Sequence, residues 1–210
     1  MATVFTPLRS GTQMSDEEFI AFYAARPDGE RWQLIDGDVI KMAPPKLRHQ
    51  KIGGNLAWEL NTHFRVQKPW LSALQEIGLL VPGVTRFRPT ADVAVIDDQV
   101  DLDTSWADRF HLVAEVLSDS NTPRRIERKR NRYMQHPLNT YVLVIAQLEP
   151  RVEIFARASG WQSQVLTQLD NVIHLPDFAP DAQMTAQGHA VGNDGISIPL
   201  RRLYAGTSVA

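Results

Sequence analysis

Cysteine is absent from the chain of 210 residues. Its absence removes disulfides, thiolate nucleophiles and cysteine-ligated zinc sites together, and it favours a reducing, cytoplasmic setting. Long apolar runs are missing as well. The strongest near the centre, "YVLVIA", falls far short of the roughly 20 residues that a membrane-spanning helix needs. The opening residues, "MATVFTPLRSGT", lack a basic stretch followed by an apolar one, so neither a signal peptide nor a membrane partner is expected. Excess positive charge is lacking too. A formal net charge of −2 does not mark out a nucleic-acid binder by itself. Repeats and low-complexity linkers do not occur, and Gly53-Gly54 lacks the Lys-Ser/Thr and strand context of a phosphate loop.

What is present suits a globular α/β chain. Hydrophobic residues make up 43% and charged residues 22%, which allows a sizeable core and speaks for one domain over residues 1–210. Ser15 and Glu18 form a capping-box pair that starts a first helix, with Met14 and Phe19 spaced as a staple and Phe19, Phe22 and Tyr23 as its inward stripe. "RWQLIDGDVIKM" reads as a hairpin turning at Asp36-Gly37. Ile52, Leu56, Leu60 and Phe64 recur every four residues, so Pro44 to Val66 is predicted helical, and its Gly53-Gly54 pair suggests a close approach to the backbone. Strands follow in "PWLSALQEIGLLVPG", "RFRPTADVAVIDDQ" and "RFHLVAEVLS", then a helix in "TPRRIERKRNRYMQHP" and a strand in "TYVLVIAQ". The strand–helix–strand run from 110 to 146 is long enough for a parallel crossover. A second hairpin turns at Ala158-Ser159-Gly160. Beyond it, "DFAPDAQMTAQGHAVGNDG" reads as a polar loop, and "ISIPLRRLYAG" as a short strand with a helical turn.

Two of these strands carry one acid each among residues that should be buried: Asp92 and Glu115. A buried carboxylate costs several kcal/mol unless something pairs with it. If the strands are neighbours, both acids share one edge of the core, and a hard divalent cation is their natural partner. Taken singly, each is also readable as an ordinary paired or strand-end acid.

Residues 124–132, "RRIERKRNR", hold six cations against Glu127 alone. With Ile126 and Tyr133 as the inward stripe of this helix, Lys129 points broadly towards the sheet, while Arg130 flanks the same stripe on its other side. Helical geometry does not choose between the two. Arg124, Arg125, Arg128 and Arg132 are better placed for solvent or for phosphates. An acid–acid–lysine set with a divalent metal is the layout expected for phosphodiester hydrolysis.

In order, "WQLIDGDVIKMAP", His49, "RPTADVAVI", "HLVAEVLSDSN" and "KRNRYMQHPLNTYVLVI" resemble the Uma-two family of restriction endonucleases, a branch of the PD-(D/E)XK nuclease superfamily. The resemblance covers a core of about 15–157; the C-terminal hairpin and tail occupy 151–210. It implies a restriction-endonuclease-like α/β core: a central mixed β-sheet flanked by helices, with an N-terminal helix and β-hairpin. It also implies a site dependent on Mg²⁺ (or Mn²⁺), in which Asp92 and Glu115 hold metal, the Val116 carbonyl is a further ligand, and Lys129 takes the lysine role in place of Leu117. His49 matches a histidine often seen in the family and is a candidate contact for phosphate or water. Three departures accompany the likeness. Gln33 stands where the family's hairpin has Glu, "TAD" replaces the usual "PD", and Arg125 stands where an aspartate is often found.

The activity so implied is a metal-dependent nuclease hydrolysing phosphodiester bonds, with DNA as partner and the arginine helix on its backbone. Gln33, Arg125 and the mildly acidic total favour an alternative, a nuclease-derived nucleic-acid-binding domain that has lost turnover. A third reading is an assembly protein whose Glu115 merely pairs with a cation of the following helix. A homodimer is compatible with the first reading, because cutting both strands needs two sites.

Overall fold

The computed structural model describes residues 12–27, 29–118, 122–176, 178 and 195–209. Most of the polar loop expected at 177–195 and the "DSN" end of the fourth motif therefore lie outside the described residues.

Helix α1 (Asp16–Ala24) begins with the expected capping box: Glu18 N–H donates to Ser15 Oγ, and Ser15 N–H donates to Glu18 Oε2. Only Phe19 of its aromatic stripe is fully buried; Phe22 and Tyr23 are half-buried. Strands β1 (Trp32–Ile35) and β2 (Asp38–Lys41) form the predicted antiparallel hairpin. Asp36 and Gly37 carry it round with φ of 51° and 92°, the left-handed conformation that such a two-residue turn requires. Helix α2 (Leu47–Gln67) buries Ile52, Leu56, Leu60 and Phe64 along one stripe. Each such side chain contributes about 1.5–3 kcal/mol. A Cβ built at Gly53 would lie 3.4 Å from the Gln75 side chain, an ordinary contact, so space does not demand glycine there.

Six strands make the central sheet: β3 (Leu71–Gly78), β4 (Thr90–Asp97), β5 (Leu112–Val116), β6 (Tyr141–Ile145), β7 (Val152–Ala156) and β8 (Ser163–Leu166), lying side by side in that order. The β5–β6 pair is parallel and the other four are antiparallel, so the sheet is mixed, as expected. Helix α3 (Pro123–Tyr133) makes the crossover that a parallel pair demands. It starts at Thr122, whose hydroxyl accepts from Arg125 N–H, with Pro123 in the first turn. Strands β5 and β6 are buried at every residue, which is why both read as continuous apolar runs.

Apolar side chains pack on both sheet faces. On one, α2 lies with β9 (Val172–Leu175), β10 (Ile196–Pro199) and the short α4 (Leu200–Leu203). On the other, Ile126 and Tyr133 of α3 meet Val113, Val142, Phe87 and Phe110. The strand and helical turn at the C-terminal end match the sequence reading. Strand β9, antiparallel to β10, was not legible because its four residues alternate too briefly to stand out.

Candidate active site

The β4–β5 ladder ends at the pair Val93 and Ala114; one step further, the register sets Asp92 against Glu115. Val116 N–H donates to Asp92 Oδ2 at 2.6 Å, which ties the two strand ends together through the first acid. Strand pairing thus brings together two residues 23 positions apart in the chain.

Glu115 lies on the α3 face of the sheet and is 3% exposed. Lys129, also 3% exposed, places Nζ 2.7 Å from Oε1 and 2.8 Å from Oε2, and donates to the Thr90 carbonyl at 2.9 Å. Tyr133 donates its hydroxyl proton to Glu115 Oε1 at 2.8 Å. Lys129 and Tyr133 are four residues apart, so one turn of helix aims both at the same carboxylate. Burial pushes the Glu115 carboxyl up; Lys129 pulls it back, the Asp92 charge adds to the rise, and it settles at about 6. The Tyr133 hydroxyl is pushed well above its usual value by burial and by Glu115, so it remains a proton donor.

Asp92 is half-buried. His49, near the start of α2, approaches it with Nε2 3.1 Å from Oδ2 and also hydrogen-bonds the main chain of Val116. Burial alone would lower the imidazole pKa, but hydrogen bonding and attraction to Asp92, with help from Val116 and Glu115, raise it above the usual value. His49 therefore touches both Asp92 and the residue whose carbonyl was expected to complete the metal shell.

The cationic helix divides as its geometry suggested, with two exceptions. Lys129 faces the sheet, and Arg130 lays its guanidinium over the Phe155 ring at 4.5 Å, which resolves the choice between them. Arg124 is exposed and Arg125 half-buried. Arg132 and Arg128 turn to the hairpin instead: Arg132 pairs with Asp36 at 2.8 Å, and Arg128 approaches Asp36 at 4.0 Å and Asp38 at 3.7 Å. The acids of the β1–β2 turn and its flank thus neutralise part of the expected phosphate-facing stripe. Gln33, on β1, is buried, and its Oε1 has no hydrogen-bond partner among the described residues.

The donor set fits a hard divalent cation. It comprises two carboxylates, of Asp92 and Glu115, and the Val116 carbonyl, all oxygen; Mg²⁺ is commonly held by one or two carboxylates and keeps waters in its remaining positions. Among the described residues, no group of three or more His, Asp or Glu side chains is arranged to hold a metal. A cation near Glu115 would also offset the cost of its burial.

Sequence reasoning missed two contributors. Tyr133 was read as a core residue only, although a buried tyrosine hydroxyl needs a partner, and its spacing from Lys129 was a usable signal. The Thr90 carbonyl left no trace in the sequence.

Three comparisons bear on this geometry. Residues 16–187 match the family Uma2, described as "Putative restriction endonuclease". Among solved structures, the chain is similar to a protein from Anabaena variabilis described as a putative nuclease belonging to DUF820, with a TM-score of 0.66 and 14% identity over 91% of this chain and 98% of that one. At that identity the likeness concerns the fold. No curated protein matches the chain. No helix among the described residues is long and apolar enough to cross a membrane.

Proposed function

Because the chain belongs to the Uma2 family of putative restriction endonucleases, we propose that it is a nuclease of the PD-(D/E)XK type, hydrolysing phosphodiester bonds in DNA with a divalent metal, Mg²⁺ or Mn²⁺. The family and the fold support a nuclease, and restriction-endonuclease-like families generally use divalent metals. The observation that carries the finer reading is the set of Asp92, Glu115 and Lys129 at one end of neighbouring strands, with Lys129 closing on the buried carboxylate.

In this reading Asp92, Glu115 and the Val116 carbonyl hold the metal. When bound, it polarises the scissile phosphate and lowers the pKa of an attacking water. Lys129 stands next to those ligands and stabilises negative charge developing on phosphate oxygens. Tyr133 fixes the Glu115 carboxylate, and His49 orients Asp92. Arg124, exposed at the start of α3, is positioned to meet the phosphate backbone; Arg128 and Arg132 join it only if they exchange Asp36 and Asp38 for phosphate.

One observation favours a second reading, a binding domain without turnover. Three acceptors surround Lys129 Nζ, matching its three donors in number and leaving none for water or phosphate. Gln33, lacking the family's negative charge, points the same way. A nicking assay on supercoiled plasmid separates the two. The nuclease reading expects relaxed circles with Mg²⁺ or Mn²⁺ and none with EDTA, and intact plasmid across metals and substrates supports the second reading.

A further inference from the structure

The outward faces of α2 and α4 carry charge and an aromatic ring that the proposed chemistry does not use. Trp58, midway along α2, is 69% exposed. Lys51, also exposed, lies seven residues before it, two turns away on the same helix face. Asn55 donates to the Leu203 and Ala205 carbonyls at 2.9 Å each, which docks α4 against this part of α2. We propose that the surface binds a single-stranded flank of the DNA cut at Asp92 and Glu115. Its phosphates meet Arg48, Lys51 and Arg202, and one unpaired base stacks on Trp58. The substrate assignment rests on the nuclease reading above.

Position is the first argument. Helix α2 starts at the chemistry, where His49 in its first turn reaches Asp92 at 3.1 Å. Nine residues separate His49 from Trp58, about 14 Å along the helix axis. A stacked strand rises about 3.4 Å per nucleotide, so Trp58 is in reach of a base about four nucleotides from the cut. Arg48 and Lys51 flank the start of that path. Arg48 donates to Ser208 Oγ at 2.8 Å, and a Cβ at Gly206 would come within 3.0 Å of Lys51 Cε. The C-terminal turn thus braces both cations.

Charge is the second. Glu59, the one acid of α2, is taken by Arg202 at 3.1 Å, and the partner of Arg48 is a neutral hydroxyl. Arg48 and Lys51 therefore keep their charge for a ligand. Arg201 meets Asp170 at 2.5 Å, but both side chains are well exposed, and such pairs are weak. On α3, by contrast, Arg124 alone among the cations is exposed. The far end of the sheet is acidic: Asp98, Asp101, Asp103 and Asp108 are exposed in a stretch without Lys or Arg. That stretch begins where β4 ends, about 17 Å along the strand from Asp92. The net charge of −2 thus conceals a polarised distribution that steers a polyanion away from this loop and towards the Asp92 end.

The exposed indole is the third, and it selects a single strand. A duplex keeps its base faces stacked on one another, whereas an unpaired base offers one to an aromatic ring. Stacking of this kind tolerates any base and operates together with cations along the backbone.

The test is fluorescence anisotropy of the full chain with labelled hairpin DNA, blunt or carrying a 5′ or 3′ flank of about eight thymidines, in EDTA so that nothing is cut. A flank of at least one polarity is expected to tighten binding about tenfold or more over the blunt hairpin. Trp58→Ala should abolish that gain, and Trp58→Phe should keep most of it. Arg48→Ala and Lys51→Ala together should lower the slope of log affinity against log salt by about one to two. Equal affinity for blunt and flanked hairpins would overturn the proposal, as would a flank gain that survives Trp58→Ala. A flank bound through Trp58 on DNA that Mg²⁺ or Mn²⁺ never causes to be cut would leave this surface standing and refute the nuclease reading. Cleavage without any flank gain would do the reverse.

Discussion

Lys129 grips Glu115 with both carboxylate oxygens inside 2.8 Å and both residues almost wholly buried. An ion pair in that setting gives little net stability, because desolvation of the two charges offsets their attraction. Its position between α3 and the β5 end argues for a chemical role, and Lys129→Met tests it. Cleavage should fall about 10²-fold or more. Loss of the lysine also removes the pull that holds the Glu115 carboxyl down, so its titration, followed by carboxyl carbon NMR, should move above about 6. An unmoved titration would show that the pair does not govern Glu115.

Acid–base behaviour follows from the same carboxyl. Its folded pKa of about 6 lies above the ordinary 4.5. A raised carboxyl pKa means that the folded state binds the proton more tightly than the unfolded one. The contribution to stability is fully present below 4.5 and lost as pH rises through about 6. Urea denaturation without metal should therefore show wild type losing on the order of 1–2 kcal/mol relative to Glu115→Gln across that window. Cleavage should run the other way, rising towards pH 6 and above as the metal-binding carboxylate forms.

Tyr133→Phe removes one hydrogen bond to a buried charge and nothing else of its shape. A loss of about 1–3 kcal/mol is expected. The Glu115 carboxyl should titrate higher than in wild type, and KM for metal should change more than kcat. Unaltered titration would make Tyr133 a core residue alone.

At the other end of β4, Asp97 accepts from Arg109 at 2.7 Å and lies 3.0 Å from His111 Nε2. Burial raises its pKa, but Arg109 and His111 outweigh that and hold it at about 2. A depressed carboxyl contributes stability above its ordinary 3.8 that is lost as pH falls through about 2. Asp97→Asn should cost about 2 kcal/mol at neutral pH and leave the pH dependence of cleavage unchanged. A shifted cleavage profile would mean that this cluster acts on the active site.

Much of this site was legible because its signals were violations of local pattern. Glu115 stood out as a charge inside "LVAEVL", and Lys129 as a cation on the stripe set by Ile126 and Tyr133. The six-stranded order was partly readable, since the run from 110 to 146 demanded a crossover. What escaped depended on tertiary register. Nothing in one dimension tells that Arg132 meets Asp36, 96 residues away, or that the Thr90 carbonyl accepts from Lys129. The left-handed backbone of Glu76, with φ of 53°, was hidden too, because glutamate gives no sign of such a conformation.

The proposed nuclease activity requires a divalent cation shared by Asp92 and Glu115. Diffraction at the manganese edge from crystals soaked in MnCl₂ tests this most directly. The expected result is one anomalous peak within about 2.3 Å of a carboxylate oxygen of each residue and of the Val116 carbonyl, absent in Asp92→Asn crystals. A soaked crystal with Glu115 still closed on Lys129 and no peak between the two acids would contradict it.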